Sequence, residues 1–293
     1  MHHRLAIIAD IHGNLPAFEA VLDDLDQAAP DEVLVGGDLV GRGPQGSAVV
    51  KEIRSRGWPS VRGNHEDYLL DFHHQRVPEE WWSREEWSAA RWMTAELSPD
   101  DFPYLDSLPM TLSSAVAPRL LLTHGTPRSH SEGLGPWTSD AKLERLIGGL
   151  EESLLVCAHT HRQMDRSLPS GQVVNVGSVG LPFNGDTRAQ YALFDWDGSN
   201  WEVELRQVEY DLERIFEIYD TSGFSDAGGV TSELLRLELT HAAPFLVPFL
   251  KWTEALRTRP THDRIAPFLD LYDPGEPVHE FFIRLEASIR DRI

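Results

Sequence analysis

Five stretches of the sequence set Asp, His or Asn directly after an apolar run. Asp10 and His12 follow Ala6-Ile7-Ile8-Ala9, and Asp38 follows Val33-Leu34-Val35-Gly36-Gly37. Asn64 and His65 follow Val61-Arg62-Gly63, His124 follows Leu120-Leu121-Leu122-Thr123, and His159 and His161 follow Leu154-Leu155-Val156-Cys157-Ala158. Imidazole, carboxylate and carboxamide groups offer nitrogen and oxygen donors. Such a set suits Mn²⁺, Fe²⁺/Fe³⁺, Zn²⁺, Co²⁺ or Ni²⁺, and speaks against an iron–sulfur cluster. There are more donors than one ion needs, so two divalent ions are expected, with Asp38 as the natural carboxylate bridge. Two ions held about 3.5–4 Å apart clamp a phosphoryl group and generate a hydroxide nucleophile at neutral pH. Taken singly, Asp10 or Asp38 reads as a strand-end turn or a helix cap, Asn64 as a turn, and any one histidine as a structural residue. The chemistry lies in the joint pattern.

For these groups to meet, separate strands must deliver them to one edge of a sheet, since sites in open α/β sheets form beyond the carboxyl ends of strands. In extended backbone, residues i and i+2 point the same way, which would let Asp10 and His12, or His159 and His161, face one metal together. Gly13, Gly37, Gly63 and Gly125 flank these groups and permit tight turns. The apolar patterning predicts strands at Arg4–Ala9, Glu32–Val35, Pro59–Val61, Leu120–Thr123, Leu154–Cys157, Gln172–Val176, Ala189–Phe194 and Trp201–Val208. Helical spacing covers Leu15–Ala28, capped by Asn14 with Pro16 in the first turn, and Gly46–Arg56. Asp197-Gly198 signals a hairpin. The alternation of strands and helices gives an α/β layered fold.

Two regions depart from this alternation. From His73 to Leu108, Trp81, Trp82, Trp87 and Trp92 sit among Glu, Arg, Ser and Ala at near-helical spacing. This predicts a helical insertion at about 73–108 that packs its tryptophans on the main body or forms a lid over the substrate. After Val208 the chain reads as helical, so the expected organisation is a catalytic domain over 1–208 and a helical extension over 209–293. In the extension, Phe245, Leu246, Phe249 and Leu250 form one apolar face, for packing on the body, for a homo-oligomer contact, or as a wall of the substrate cleft.

Composition bounds the partners. The net charge is −21, from 26 basic and 47 acidic residues, which repels a nucleic-acid backbone overall. A small phosphorylated substrate remains compatible, because bound cations and a few arginines reverse the field locally. No apolar run is long enough to span a bilayer. Cys157 is the single cysteine and reads as a small buried hydrophobe. With a strand starting at the N-terminus and no leader pattern, a cytoplasmic location is expected.

The ordered series Asp10-Ile-His12, Gly37-Asp38, Gly63-Asn64-His65-Glu66, His124-Gly125 and His159-Thr-His161 resembles the calcineurin-like metallophosphoesterases. Asn175-Val-Gly177-Ser178 and Asp186-Thr-Arg188-Ala-Gln-Tyr191 are similar to the small prokaryotic phosphodiesterase branch, so the resemblance spans about residues 4–208. It implies a four-layer αββα sandwich of two mixed sheets with flanking helices. It also implies that Asp10, His12 and His161 bind the first metal, that Asn64, His124 and His159 bind the second, and that Asp38 bridges both. His65 would protonate the leaving oxygen or hold the phosphate. The family commonly has Gly where Ala158 stands, and Asn-Pro where Asn175-Val stands. Arg42 and Arg62 resemble the phosphate-gripping arginines of serine/threonine protein phosphatases and dinucleotide tetraphosphatases, although Gly41 stands where those phosphatases carry an aspartate. Glu66 or Asp67 is a candidate to orient His65.

The resulting expectation is a dinuclear phosphodiesterase acting on small or nucleotide-type substrates with a metal-bridging hydroxide, Mn²⁺ foremost among the metals. A phosphomonoesterase, a nuclease and a catalytically silent metal-binding scaffold are the alternatives.

Overall fold

A computed structural model describes residues 3–114, 119–275 and 278–290. Nine strands form two mixed sheets among the described residues. The first sheet has the order β2-β1-β8-β9, with β1 His3–Ile8, β2 Glu32–Val35, β8 Ala189–Trp196 and β9 Trp201–Val208. Here β1 runs parallel to β2 and antiparallel to β8, and β9 returns antiparallel to β8. The second sheet has the order β3-β4-β5-β7-β6, with β3 Thr111–Ser113, β4 Leu120–Thr123, β5 Leu154–Cys157, β6 Met164–Leu168 and β7 Gly171–Asn175. Its centre, β4-β5-β7, is parallel, and both edge strands are antiparallel.

The period of two along each strand sorts side chains into layers. Leu5, Ile7 and Ala9 point inward and share a core with Leu120, Leu122, Leu154, Val156 and Val174 of the other sheet. Ala6 and Ile8 point outward and pack with Phe18, Val21 and Leu25 of α1 (Leu15–Ala28) and Val49 and Ile53 of α2 (Gly46–Arg56). On the far side, Leu121, Leu155, Cys157 and Val173 are covered by Leu143, Leu146 and Ile147 of α6 (Asp140–Ile147). The molecule is therefore the four-layer αββα sandwich. Cys157 is fully buried in the outer core, and burial pushes its thiol up to about 12, so it is an inert hydrophobe.

Three other helices precede α6: α3 (Asn64–His73), α4 (Ser88–Glu96) and α5 (Asp101–Ser107). The insertion differs from one continuous helix. Trp81, Trp82 and Trp87 lie on short 3₁₀ turns at Glu79–Trp82 and Glu85–Trp87, and Trp92 alone is on an α-helix. Pro78 and the break at Ser83 divide the segment, while ring packing holds it. Trp81 stacks on Trp87 at 3.7 Å, and both meet Phe72 of α3.

The extension comprises α7 (Leu212–Thr221), α8 (Phe224–Ala227), α9 (Gly229–His241), α10 (Leu246–Ala255), α11 (Ile265–Leu269) and α12 (Val278–Arg290). Ile215, Tyr219, Phe224, Leu235 and Leu239 join the core built by α1 and α2. Val230, Phe249, Trp252, Phe268 and Phe281 form a second core of their own. Phe245 and Phe249 are buried there, and Leu246 and Leu250 pack at its edge. Pro59–Val61 is reduced to one parallel bridge between Val35 and Ser60. Asp197-Gly198 lies in a four-residue connection between Trp196 and Trp201, tied by Asp197 accepting from the Ser199 and Asn200 amides.

Candidate metal centre

The carboxyl ends of β1, β2, β4 and β5 converge at one edge between the sheets. Asp10, His12, Asp38 and His161 bring donor atoms within 4.8 Å of one another, and so do Asp38, His124 and His159. The two groups share Asp38. Its Oδ2 lies 3.2 Å from His124 Nε2 and 3.7 Å from His12 Nε2. Asn64 adjoins the second group, its Oδ1 being 3.1 Å from His124 Nε2.

The local backbone is not the extended chain that a shared face for i and i+2 presupposes. Asp10, His12, Asp38, His159 and His161 have φ of 51°, 54°, 52°, 66° and 56°. These are left-handed positions that L-residues seldom adopt. Asp10 and His12 nevertheless meet, because the chain turns as soon as β1 ends: the Asp10 amide donates to Gly37 O and the His12 amide to Asp38 O. His159 and His161 do not point to one place. His161 joins Asp10 and His12, and His159 joins His124.

The environment of each ring suits cation binding. His124 Nδ1 faces Gly36 O at 2.8 Å and His161 Nδ1 faces Leu181 O, so each donates its proton to a carbonyl and leaves Nε2 for the centre. Asp10 Oδ1 is buried without a hydrogen-bond partner, 3.6 Å from His161 Nε2 and 3.9 Å from His12 Nε2. A buried carboxylate oxygen facing two imidazole nitrogens beyond hydrogen-bond length fits a cation among them. Burial lowers His12 to about 3 and His159 to about 4, and drives His161 well below its usual value, which keeps their lone pairs free at neutral pH. Burial also opposes charge on His124, but the Asp38 and Asp10 carboxylates outweigh it and raise the ring to about 10. A divalent cation beside Asp38 supplies the charge that this proton otherwise provides.

His65 borders the centre. Its ring lies 4.8 Å from that of His12, and Arg42 Nε donates to its Nε2 at 3.1 Å. A guanidinium can only donate, so this imidazole carries its proton on Nδ1. Burial, with Arg42 adding to it, holds His65 well below its usual value, against the pull of Asp38. Gly41 explains the missing aspartate: its φ is +80°, and a Cβ there would lie 2.6 Å from His65 Nδ1. Arg42 itself is gripped from the extension. Its Nη1 bonds Glu238 Oε2 of α9 at 2.8 Å, and Tyr219 Oη donates to its carbonyl. Arg62 points elsewhere, pairing with Asp67 at 3.3 Å and donating to Asp106 O.

Neither Glu66 nor Asp67 bonds the His65 ring. Asp67 pairs with Arg62 and His130. Glu66, fully buried at the third position of α3, accepts from the amides of Asp38 (2.9 Å), Leu39 (2.7 Å), Val40 (3.3 Å) and Gly63 (2.6 Å). It clamps the loop after β2 to the start of α3. Asp38 Oδ1 completes the clamp by accepting from the His65 amide at 2.8 Å. A Cβ at Gly63 would lie 2.1 Å from that oxygen, so only glycine permits the approach. Burial and the charge of Asp38 push the Glu66 carboxyl up to about 7, while the four amides leave no acceptor for a carboxyl proton. The available sequence signal for this role is a glutamate three residues after Gly63, which reaches back to the N-cap amide as the glutamate of a capping box does.

Two more positioning residues come from beyond the donor motifs. Asn175 Nδ2 donates to Ala158 O and Leu134 O, and Ser178 Oγ donates to Asp10 O. They brace the loops that carry His159 and Asp10.

The chain matches the family described as calcineurin-like phosphoesterase over residues 3–163. It is 27% identical over 229 residues to an uncharacterized protein of Methanocaldococcus jannaschii, covering 73% of this chain and 90% of that protein. It is 36% identical over 150 residues to a symmetrical bis(5'-nucleosyl)-tetraphosphatase of Paracidovorax citrulli, covering 48% of each. A metallophosphoesterase of Sphaerobacter thermophilus superposes with a TM-score of 0.66 at 25% identity, over 82% of this chain and 99% of that one. Among the described residues no helix is long and apolar enough to cross a membrane.

Proposed function

The chain belongs to the calcineurin-like phosphoesterases, a premise from which we propose that it is a dinuclear phosphodiesterase acting on small or nucleotide-type substrates, with Mn²⁺ the first metal to try. The observation that carries this reading is the pair of donor groups meeting at Asp38. Asp10, His12 and His161 would hold one ion, Asn64, His124 and His159 the other, and Asp38 would contact both. Bound there, the ions supply Lewis-acid charge for the phosphoryl oxygens and a nucleophile at neutral pH.

The chain's own residues do the rest. Arg42 donates from one side of the site and is held in place by Glu238. His65 starts as a neutral imidazole, so its first role is to orient the phosphoester. An anionic phosphate at hydrogen-bond distance raises the imidazole's proton affinity, so the ring takes up a proton from solvent water and passes it to the departing oxygen. Arg42 is the one lysine or arginine among the described residues lining the adjoining cleft. A diester with a single negative charge needs less compensation than a monoester dianion, which favours the diester. Arg62 is assigned a structural role, since its guanidinium is already held by Asp67 and Asp106.

The test compares bis(p-nitrophenyl) phosphate with p-nitrophenyl phosphate, with Mn²⁺ and after chelation. Metal-dependent turnover favouring the diester is expected, lost in Asp38→Ala together with both ions. In His65→Ala, turnover falls by about 10²–10⁴ while metal content stays intact. Preference for the monoester would instead make the protein a phosphatase. A folded, two-metal protein that turns over neither ester would support the silent-scaffold alternative.

A further inference from the structure

Beside the donor cluster lies a cleft of about 270 Å³, with Asn64, His65, His159 and Arg42 at its inner end. Its remaining walls come from α3, the insertion and the extension, chiefly Leu69, Trp87, Met93, Leu235, Leu246 and Leu250. The charged groups on the walls are already partnered. Arg42 bonds Glu238 at 2.8 Å, and Glu86 pairs with Arg84. The Thr231 hydroxyl donates to the Glu86 carbonyl. What the cleft offers a ligand is therefore apolar surface that ends at the candidate metal centre. A polyphosphate chain would find no lysine or arginine beyond Arg42 on the described walls.

We propose that this cleft receives an apolar ester group, an aryl or branched alkyl substituent, of a phosphodiester whose phosphate sits at the donor cluster. The proposal rests on the phosphodiesterase reading above. The cleft lies just below the usual size of small-ligand sites, roughly 300–1,000 Å³, which fits a ring or a short branched chain rather than a polymer. Specificity then belongs to the segments outside the sandwich: α4 and its preceding turn on one side, α9 and α10 on the other.

Diphenylphosphinate and dimethylphosphinate test this directly. Both carry one negative charge, and their P–C bonds resist hydrolysis. Calorimetry on the Mn²⁺-loaded full chain should show diphenylphosphinate binding about thirtyfold more tightly or better, the increment expected for burying one ring in place of one methyl. Val247 lines the cleft and is 40% exposed, so Val247→Asp should fold normally and reduce the ratio to about threefold or less. Equal binding of the two phosphinates would overturn the proposal, as would a ratio unchanged by Val247→Asp. Failure of the underlying reading looks different: a strong phosphinate preference without hydrolysis of bis(p-nitrophenyl) phosphate would keep the cleft and remove the phosphodiesterase.

Discussion

Glu66→Gln isolates the clamp between the two metal-bearing loops. The carboxylate gathers four buried amides, at 2.6, 2.7, 2.9 and 3.3 Å, through two oxygens. A carboxamide keeps the shape but has one acceptor oxygen. Whichever way it is turned, its NH₂ meets two amide N–H groups head-on. Two buried donors left unpaired at about 1–3 kcal/mol each give a loss of about 4 kcal/mol. That is a large part of the stability of a typical domain. The same substitution loosens Asp38 against Asn64, so both metal groups lose registry. A group that orients ligands in this way is worth about 10–100-fold in metal affinity. The assay is urea unfolding at pH 8, where the native carboxyl is ionised, together with metal content measured against a graded chelator. A Gln variant within about 0.5 kcal/mol of the native protein, with unchanged metal retention, would refute the clamp.

Glu238→Gln removes the counterion of Arg42, and breaking a buried pair on one side costs about 3 kcal/mol in unfolding free energy. The paired change Arg42→Met with Glu238→Gln should recover part of that loss, since Gln can still accept from the Phe245 and Leu246 amides, and a double-mutant cycle in urea would reveal it. Glu96 accepts from the Ser47 amide, and burial, aided by the charge of Asp101, raises its carboxyl to about 7. Its folded value exceeds the unfolded one, so its stabilising share is complete below about pH 4.5 and is lost as pH rises through 7. Glu96→Gln should therefore raise the unfolding free energy at pH 8, by on the order of 1 kcal/mol after solvent screening, with the gain gone at about pH 4.5.

The central architecture was legible because β1, β2, β4 and β5 each hold an apolar run, such as Leu5–Ile8 and Val33–Val35, that leads into turn residues, and such runs have few alternatives to a buried strand. The edge strands were not. Thr111–Ser113 is short and largely exposed, and Met164–Leu168 alternates Met, Asp, Arg, Ser and Leu with only Met164 buried. Each has one pairing partner, so its conformation is imposed by the neighbouring strand rather than by its own pattern. The donors were visible by type and position. Their backbone was not, because spacing alone does not distinguish extended chain from successive left-handed turns. Glu238 was hidden for another reason: its meaning depends on Arg42, 196 residues away.

The left-handed donors bear on why the site is built at the junction of two sheets. Each non-glycine residue held at such φ costs roughly 1–2 kcal/mol. Asp10, His12, Asp38, Arg42, His159 and His161 together carry strain on the scale of the net stability of an ordinary domain. It persists because hydrogen bonds fix these residues from several directions. Asp10 N is bound by Gly37 O, Asp10 O by Gly180 N and Ser178 Oγ, and Asp10 Oδ2 by the His159 amide. The last of these joins the two sheets through a candidate ligand. The donors are thus oriented by the same bonds that lock one sheet to the other. Cations entering this site need not order the loops themselves, so their binding energy is left for holding and polarising the phosphoester.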